Sequence, residues 1–231
     1  MKLENMGVIE QKYEEMLHRL NEIVESVLNI ATNTECIVCG KQSFGKRLCE
    51  DCVKVIDGPP SMTGRFIQNI EVKYFGIYEE KLRDFILAYK FRNHHSLSKV
   101  FSKMLSQTIK LHLIAADFIV YIPATKTAKN KRGYDHMYLI AKALSKEIGI
   151  PVLKALTALR ETDQLQTTDR TEAVRGKFAL VDSADRKISD RNIILIDDVL
   201  TTGSTIKEAI KILKIAKPRA IHPIVVAMNK N

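Results

Sequence analysis

No stretch of the 231-residue chain approaches the roughly 20 uninterrupted apolar residues that a membrane-spanning helix needs, and the opening run MKLENMGVIEQKYEEM lacks the apolar segment of a secretory signal. These two absences predict a cytoplasmic protein with no membrane insertion. Cysteine is missing too, outside one short window: Cys36, Cys39, Cys49 and Cys52 are the only four in the chain. That distribution excludes a disulfide framework spread through a secreted domain and points to a single site.

What is present suffices for one main domain with a small appendage, since 45% of the residues are hydrophobic. The formal charge of +9 is unevenly placed. Residues 1–30 carry three cations against six glutamates, net −3, which leaves +12 on the remainder. A basic body with an acidic extension favours polyanionic partners, nucleotides or nucleic acid, without choosing between them.

Within the extension, Ile9, Tyr13, Met16, Leu20, Ile23, Val27 and Ile30 alternate at spacings of four and three, the stripe of an amphipathic helix of about three heptads. Such a helix either lies on the body of its own protein or offers a face for self-association or a partner. The cysteine window reads Cys36-x2-Cys39-x9-Cys49-x2-Cys52, two CxxC knuckles whose four thiolates can surround zinc tetrahedrally. Gly40 suits the knuckle turn. Two disulfides or a redox-active pair are the competing readings, disfavoured by a reducing cytosol and the doubled knuckle. A closed four-thiolate site is structural and does no catalysis.

The segment DGPPSMTGR (57–65) breaks regular structure and reads as a linker. Three domains are expected: a helical extension over 1–31, a four-cysteine module over 32–58 and a main domain over 66–231. In the last, 72–78 reads as a strand, 80–91 and 97–111 as helices, and FIVYIP (118–123) as a buried strand. Helical periodicity follows from Gly133 to Gly149, with Gly149 at the C-cap. The polar run 160–177 is too long for a tight connection and is expected to serve function. FALVD (178–182) and NIILIDDV (192–199) read as strands, 204–216 as a helix and 220–228 as a closing strand. Strands alternating with helices predict an α/β fold, a mainly parallel twisted sheet flanked by helices.

The strongest chemical signal runs from Ile193 to Thr205, IILIDDVLTTGST. An apolar strand ends in Asp197 and Asp198, then turns through Thr201, Thr202 and Gly203 into a helix that begins Ser204-Thr205. Unpaired amides and the positive dipole end of a helix point at a common anion there, and the hydroxyls add donors. Neighbouring carboxylates suit the two adjacent hydroxyls of a sugar, and ligands of open α/β sheets bind at this edge.

This run resembles the signature of type I phosphoribosyltransferases. With the cysteines, and with LRDFILAYKFR (82–92), YIP…KRGYDHMYLIAKAL (121–144) and R…TDQLQ…R…F (160–178) in that order, the chain is similar over about residues 34 to 228 to the ComF/GntX family of competence-associated, phosphoribosyltransferase-like proteins. Val38 stands in place of a frequent proline, Asp135 and His136 in place of Asn-Gln, and Ala173 in place of an Asn. The resemblance implies that Asp197 and Asp198 bind the ribose hydroxyls of phosphoribosyl pyrophosphate (PRPP) and that Thr201, Thr202, Gly203, Ser204 and Thr205 wrap its 5′-phosphate. It further implies that Arg132, with the backbone around Thr125 and Lys126, meets the pyrophosphate, with Mg²⁺ held mostly by ligand oxygens. Arg132 is expected at a helix start beside Gly133, in the basic patch Lys126, Lys129, Lys131, Arg132. The segment of Arg160, Gln166 and Arg170 is expected to close over the site.

Function follows the same resemblance: a PRPP-binding protein linked to DNA uptake or nucleic-acid processing, with single-stranded DNA as a candidate partner. Basic, aromatic-bearing stretches such as YKFRNHH (89–95) fit that partner, although Phe91 is expected in the core. The alternatives are an active phosphoribosyltransferase, for which no general base or acceptor is visible, and a docking platform regulated by PRPP.

Overall fold

The computed structural model describes residues 35–67, 69–92, 94–159 and 176–230, together with Met16, Leu20 and Val24. The expected closing segment around Arg160, Gln166 and Arg170, and most of the heptad stripe, lie outside these residues. Met16, Leu20 and Val24 are helical and about half-exposed. The chain divides into two compact units, residues 1–53 and 54–231.

In the first unit the backbone doubles back on itself at the cysteines. Glu35 bridges Gln42 antiparallel, the Cys36 amide donates to the Lys41 carbonyl at 2.7 Å, and Gly40 takes the left-handed conformation (φ 74) that closes the turn. Helix α1 (Glu50–Asp57) follows directly on Cys49 and carries Cys52.

The larger unit is built on a five-stranded sheet. Its strands are β1 (Gly64–Ile67), β2 (Ile70–Ile77), β3 (Phe118–Tyr121), β6 (Asn192–Leu200) and β7 (Ala220–Met228), in the order β1-β2-β7-β6-β3. All neighbours are parallel except the β1–β2 hairpin. Strands β4 (Leu156–Ala158) and β5 (Phe178–Leu180) form a separate antiparallel pair. The expected mainly parallel α/β sheet is thus present. The reason is visible in β6, where Ile193, Ile194, Leu195 and Ile196 are all fully buried, so both faces of the strand must be covered.

One face packs against α7 (Ser204–Lys214), which comes after the short α6 (Ala184–Ile188) and places Ile206, Ile210 and Leu213 in one core with Val72, Leu195 and Val225. Helices α3 (Leu97–Leu111) and α5 (His136–Ile148) pack on each other and against β7 and β3. Helix α2 (Glu80–Phe91) buries Leu82, Phe85, Ile86 and Tyr89, a stripe at helical spacing. Each such side chain contributes roughly 1.5–3 kcal/mol on burial.

Several expectations are corrected. Phe91 is not core: it lies two residues beyond Tyr89, off the buried stripe, and is 66% exposed, whereas Tyr89 is buried. Arg132 does not start a helix but ends one. The basic patch forms α4 (Lys126–Arg132), capped at its start by Thr125, whose hydroxyl accepts from the Ala128 amide at 3.2 Å, and stopped by Gly133 in the left-handed conformation. The next helix starts at His136 behind its own cap, Asp135. The linker reading of 57–65 runs two residues too far, because Gly64 and Arg65 belong to β1.

Candidate functional site

The carboxyl ends of β3 and β6 lie side by side, since Tyr121 pairs with Ile196, and the chemistry-bearing residues collect there. Asp197 and Asp198 are the last buried polar groups of β6, 9% and 7% exposed. Leu200 is buried behind them, and the chain then turns through exposed Thr201 and Thr202 and buried Gly203 (φ 78) into α7. A Cβ on Gly203 would run into the side chain of Ile67, at the end of β1, so both the backbone angle and the space demand glycine. Thr202 Oγ1 accepts from the Ser204 amide at 3.4 Å and donates to Ser204 Oγ at 3.2 Å. Thr205 is half-buried. Gly203 is the N-cap of α7 and has no side chain with which to cap it.

The two acids have different surroundings. The Asp198 amide donates to Asp197 Oδ1 at 2.9 Å, which ties one carboxylate to the other's backbone. Asp198 receives the Lys90 ammonium on both oxygens, at 2.8 Å on Oδ1 and 2.7 Å on Oδ2, and His136 Nε2 on Oδ2 at 2.8 Å. On the far side of the imidazole, Arg132 Nη1 lies 2.9 Å from His136 Nδ1. A guanidinium only donates, so Nδ1 accepts, the ring proton sits on Nε2, and the neutral imidazole donates to Asp198. Burial raises Asp197 well above the usual carboxylate range, and the neighbouring Asp198 charge adds to it. Burial acts on Asp198 in the same direction, but the charge of Lys90 and the hydrogen bond from His136 outweigh it and hold that carboxyl well below the range.

Lys90 and His136 reach Asp198 because α2 and the start of α5 are clasped together. The buried Tyr89 hydroxyl donates to the His136 carbonyl at 2.7 Å, and the Tyr134 hydroxyl donates to the Tyr89 carbonyl at 3.1 Å. Arg132 also lies over the Phe91 ring, 5.9 Å from its centroid.

Of the residues singled out from the sequence, Asp197, Asp198, Thr201, Thr202, Gly203, Ser204 and Thr205 form one continuous edge. Arg132 joins them through His136, and Thr125 and Lys126 stand at the start of α4, beyond the end of β3. Sequence reasoning missed Lys90 and His136 as members of the site. Two signals were available: Lys90 adjoins the last buried residue of the α2 stripe, and His136 occupies a position where the family commonly carries an amide.

In the first unit, Cys36 Sγ lies 3.7 Å from Cys52 Sγ and Cys39 Sγ 3.5 Å from Cys49 Sγ, and all four sulfurs fall within 4.8 Å of one another. A disulfide requires about 2.05 Å, so the thiols are free. Four thiolates placed tetrahedrally about 2.3 Å from one ion stand about 3.8 Å apart, so the donor set fits a single metal ion.

Comparison with known proteins agrees with this architecture. The family described as phosphoribosyl transferase domain matches residues 138–231, the part that carries the acids, the loop and α7. Competence protein F of Haemophilus influenzae is 26% identical over 200 residues, 81% of this chain and 87% of that protein. Competence protein ComFC of Bacillus subtilis is 23% identical over 193 residues, 81% of this chain and 75% of its own length. ComFC of Streptococcus pneumoniae is 30% identical over 137 residues, 59% of each chain. The chain is therefore similar over four fifths of its length to ComF-type competence proteins, with a phosphoribosyltransferase-like fold in its larger unit and a cluster of four cysteines ahead of it.

Proposed function

We propose that this protein binds PRPP with Mg²⁺ at the carboxyl edge of β6 and serves, like the competence proteins it resembles, in the uptake or processing of DNA. The observation that carries the reading is the pair of adjacent buried acids beside an uncapped helix start. Asp197 and Asp198 would take the ribose hydroxyls, and residues 201–205 the 5′-phosphate. Arg132, with Thr125 and Lys126, would face the pyrophosphate, with the planar guanidinium suited to phosphate oxygens. Mg²⁺ would be held mainly by the ligand's own oxygens and several waters, neutralising the pyrophosphate charge. Cys36, Cys39, Cys49 and Cys52 would hold one structural Zn²⁺.

In this reading residues 1–31, 32–58 and 66–231 act as a helical extension, a zinc module and the PRPP-binding domain, and helix 9–30 is the face for self-association or a partner protein. Support for single-stranded DNA comes from exposed Phe91 beneath Arg132, since bases stack on aromatics while cations neutralise phosphates. A DNA affinity that does not change with salt would rule that partner out.

Calorimetric titration of Mg²⁺ and PRPP tests the central claim, using the intact protein and an Asp197→Ala, Asp198→Ala double variant at fixed ionic strength. Binding by the intact protein that disappears in the variant is the expected result. No binding by the intact protein overturns the reading. Metal analysis should find one zinc per chain, lost when all four cysteines are replaced by serine.

A further inference from the structure

Asp198 already has partners on both oxygens, and this bears on how a sugar could reach it. A carboxylate has about four lone-pair positions, and three are filled, two by Lys90 and one by His136. A sugar hydroxyl that donates to Asp198 has to displace one of these donors or crowd beside them.

The two donors differ in how firmly they are held. The His136 ring is engaged at both nitrogens and the residue is 8% exposed. Its backbone carbonyl accepts from the buried Tyr89 hydroxyl, and the Tyr89 ring packs edge-on against it, with centroids 6.2 Å apart. Lys90 has one anchor only. Its ammonium ends a flexible four-carbon stem, its side chain is 21% exposed, and Asp198 is the acceptor it contacts. Arg132 lies on the far side of the His136 ring from Asp198, so one cation contacts Asp198 directly and a second, from a different helix, is linked to it through the imidazole.

We infer that Lys90 is a ligand-exchange residue: it neutralises Asp198 in the empty site and passes to an anionic group of the ligand when the ribose hydroxyls take the carboxylate, while His136 stays as the positioning residue that holds Asp198 in place. This inference rests on the PRPP reading given above and adds to it a residue outside the acid pair and the phosphate loop. The exchange conserves charge pairing at each stage. Lys90 is matched to a carboxylate before binding and to a phosphoryl oxygen afterwards, so neither charge is left buried and alone. It also makes the site selective for a ligand that carries both a vicinal diol and a second anionic group at the far side of the sugar. A sugar phosphate that lacks that group would displace Lys90 with nothing to receive it.

The test compares Mg²⁺-PRPP with ribose 5-phosphate, which has the diol and the 5′-phosphate but no pyrophosphate, by calorimetry on the intact protein, Lys90→Met and Lys90→Arg. Lys90→Met should weaken PRPP about 30-fold, as befits loss of a charge-assisted hydrogen bond to phosphate, and change ribose 5-phosphate by less than about 3-fold. Lys90→Arg should recover PRPP binding to within about 5-fold. Should Lys90→Met fail to show a cooperative thermal transition, the same PRPP to ribose 5-phosphate ratio measured on Lys90→Gln decides. Equal weakening of both ligands would overturn the exchange, because Lys90 would then act only by shaping Asp198. An unchanged PRPP affinity would overturn it as well. If the intact protein binds neither ligand, the PRPP reading falls and the inference falls with it; if it binds both and the ratio does not move, only the inference falls.

Discussion

Three helices of the larger unit start near the same edge of the sheet, and they start in two different ways. Helices α4 and α5 open with a side-chain cap: the Thr125 hydroxyl accepts from the Ala128 amide and Asp135 Oδ1 from the Tyr138 amide. Helix α7 opens with Gly203, which has no side chain, behind a turn of exposed threonines. In the first two the chain satisfies its own amides. In the third the N-cap residue contributes no side chain, the Ser204 amide meets only the Thr202 hydroxyl at 3.4 Å, and the space above Gly203 is taken by Ile67, so the loop is shaped closely but capped weakly. A helix start so weakly capped leaves its dipole end available to an anion, and this sets α7 apart from α4 and α5.

The contrast can be broken most forcefully at Gly203. Replacement by alanine imposes a left-handed β-carbon and drives it into Ile67, so Gly203→Ala should lower stability by about 2 kcal/mol or more and abolish detectable PRPP binding. A urea midpoint and a titration would check the two effects. An alanine variant as stable as the parent would mean that Ile67 moves aside and that the loop is softer than described.

Smaller effects sharpen the difference between the helix starts. Thr125→Ala and Asp135→Ala should each cost about 1 kcal/mol of stability in chemical denaturation, the ordinary value of a lost N-cap. Ser204→Ala removes no cap and should cost less than about 0.5 kcal/mol while still weakening PRPP. Equal stability losses at all three positions would erase the distinction.

The acids yield a prediction of another kind, read as pH dependence. Asp197 is raised by folding, so it favours the folded state at low pH and that advantage is lost as pH climbs from the ordinary carboxylate range toward the raised folded value. Asp198 is depressed, so its contribution is present above the ordinary range and is lost only as pH falls below it. Thermal midpoints of the parent should therefore decline between about pH 5 and 8 relative to Asp197→Asn, which has no proton to lose. Parallel profiles would mean that Asp197 ionises normally.

Much of this arrangement was legible in the sequence because it is local. The stripes of α2 and α3 have helical periods and end where the structure ends them, and β6 announces itself as an apolar run closed by two acids. What could not be read has physical reasons. Strands β1 and β4 are four and three residues long, too short to carry a period, and β1 includes an arginine. Helix α4, KTAKNKR, has no apolar stripe and is recognisable only by its cap and its terminal glycine. Phe91 has the aromatic character of a core residue, yet its position relative to Tyr89 determines its exposure. Lys90 and His136 escaped because their partner is 108 and 62 residues away, brought near by tertiary packing alone.

The two tyrosine hydrogen bonds, from Tyr89 to the His136 carbonyl and from Tyr134 to the Tyr89 carbonyl, have a practical consequence for dissecting the protein. Residues 138–231, the part that matches the phosphoribosyl transferase domain, hold both acids, the turn and α7, yet they contain neither Lys90 nor His136 nor the tyrosine clasp that delivers them. A fragment cut to that match would carry the whole recognisable signature and leave Asp198 without its counter-charge, Lys90, and without the His136 donor. The smallest piece worth expressing therefore begins before α2, and the signature alone is a label for the site without the means to operate it.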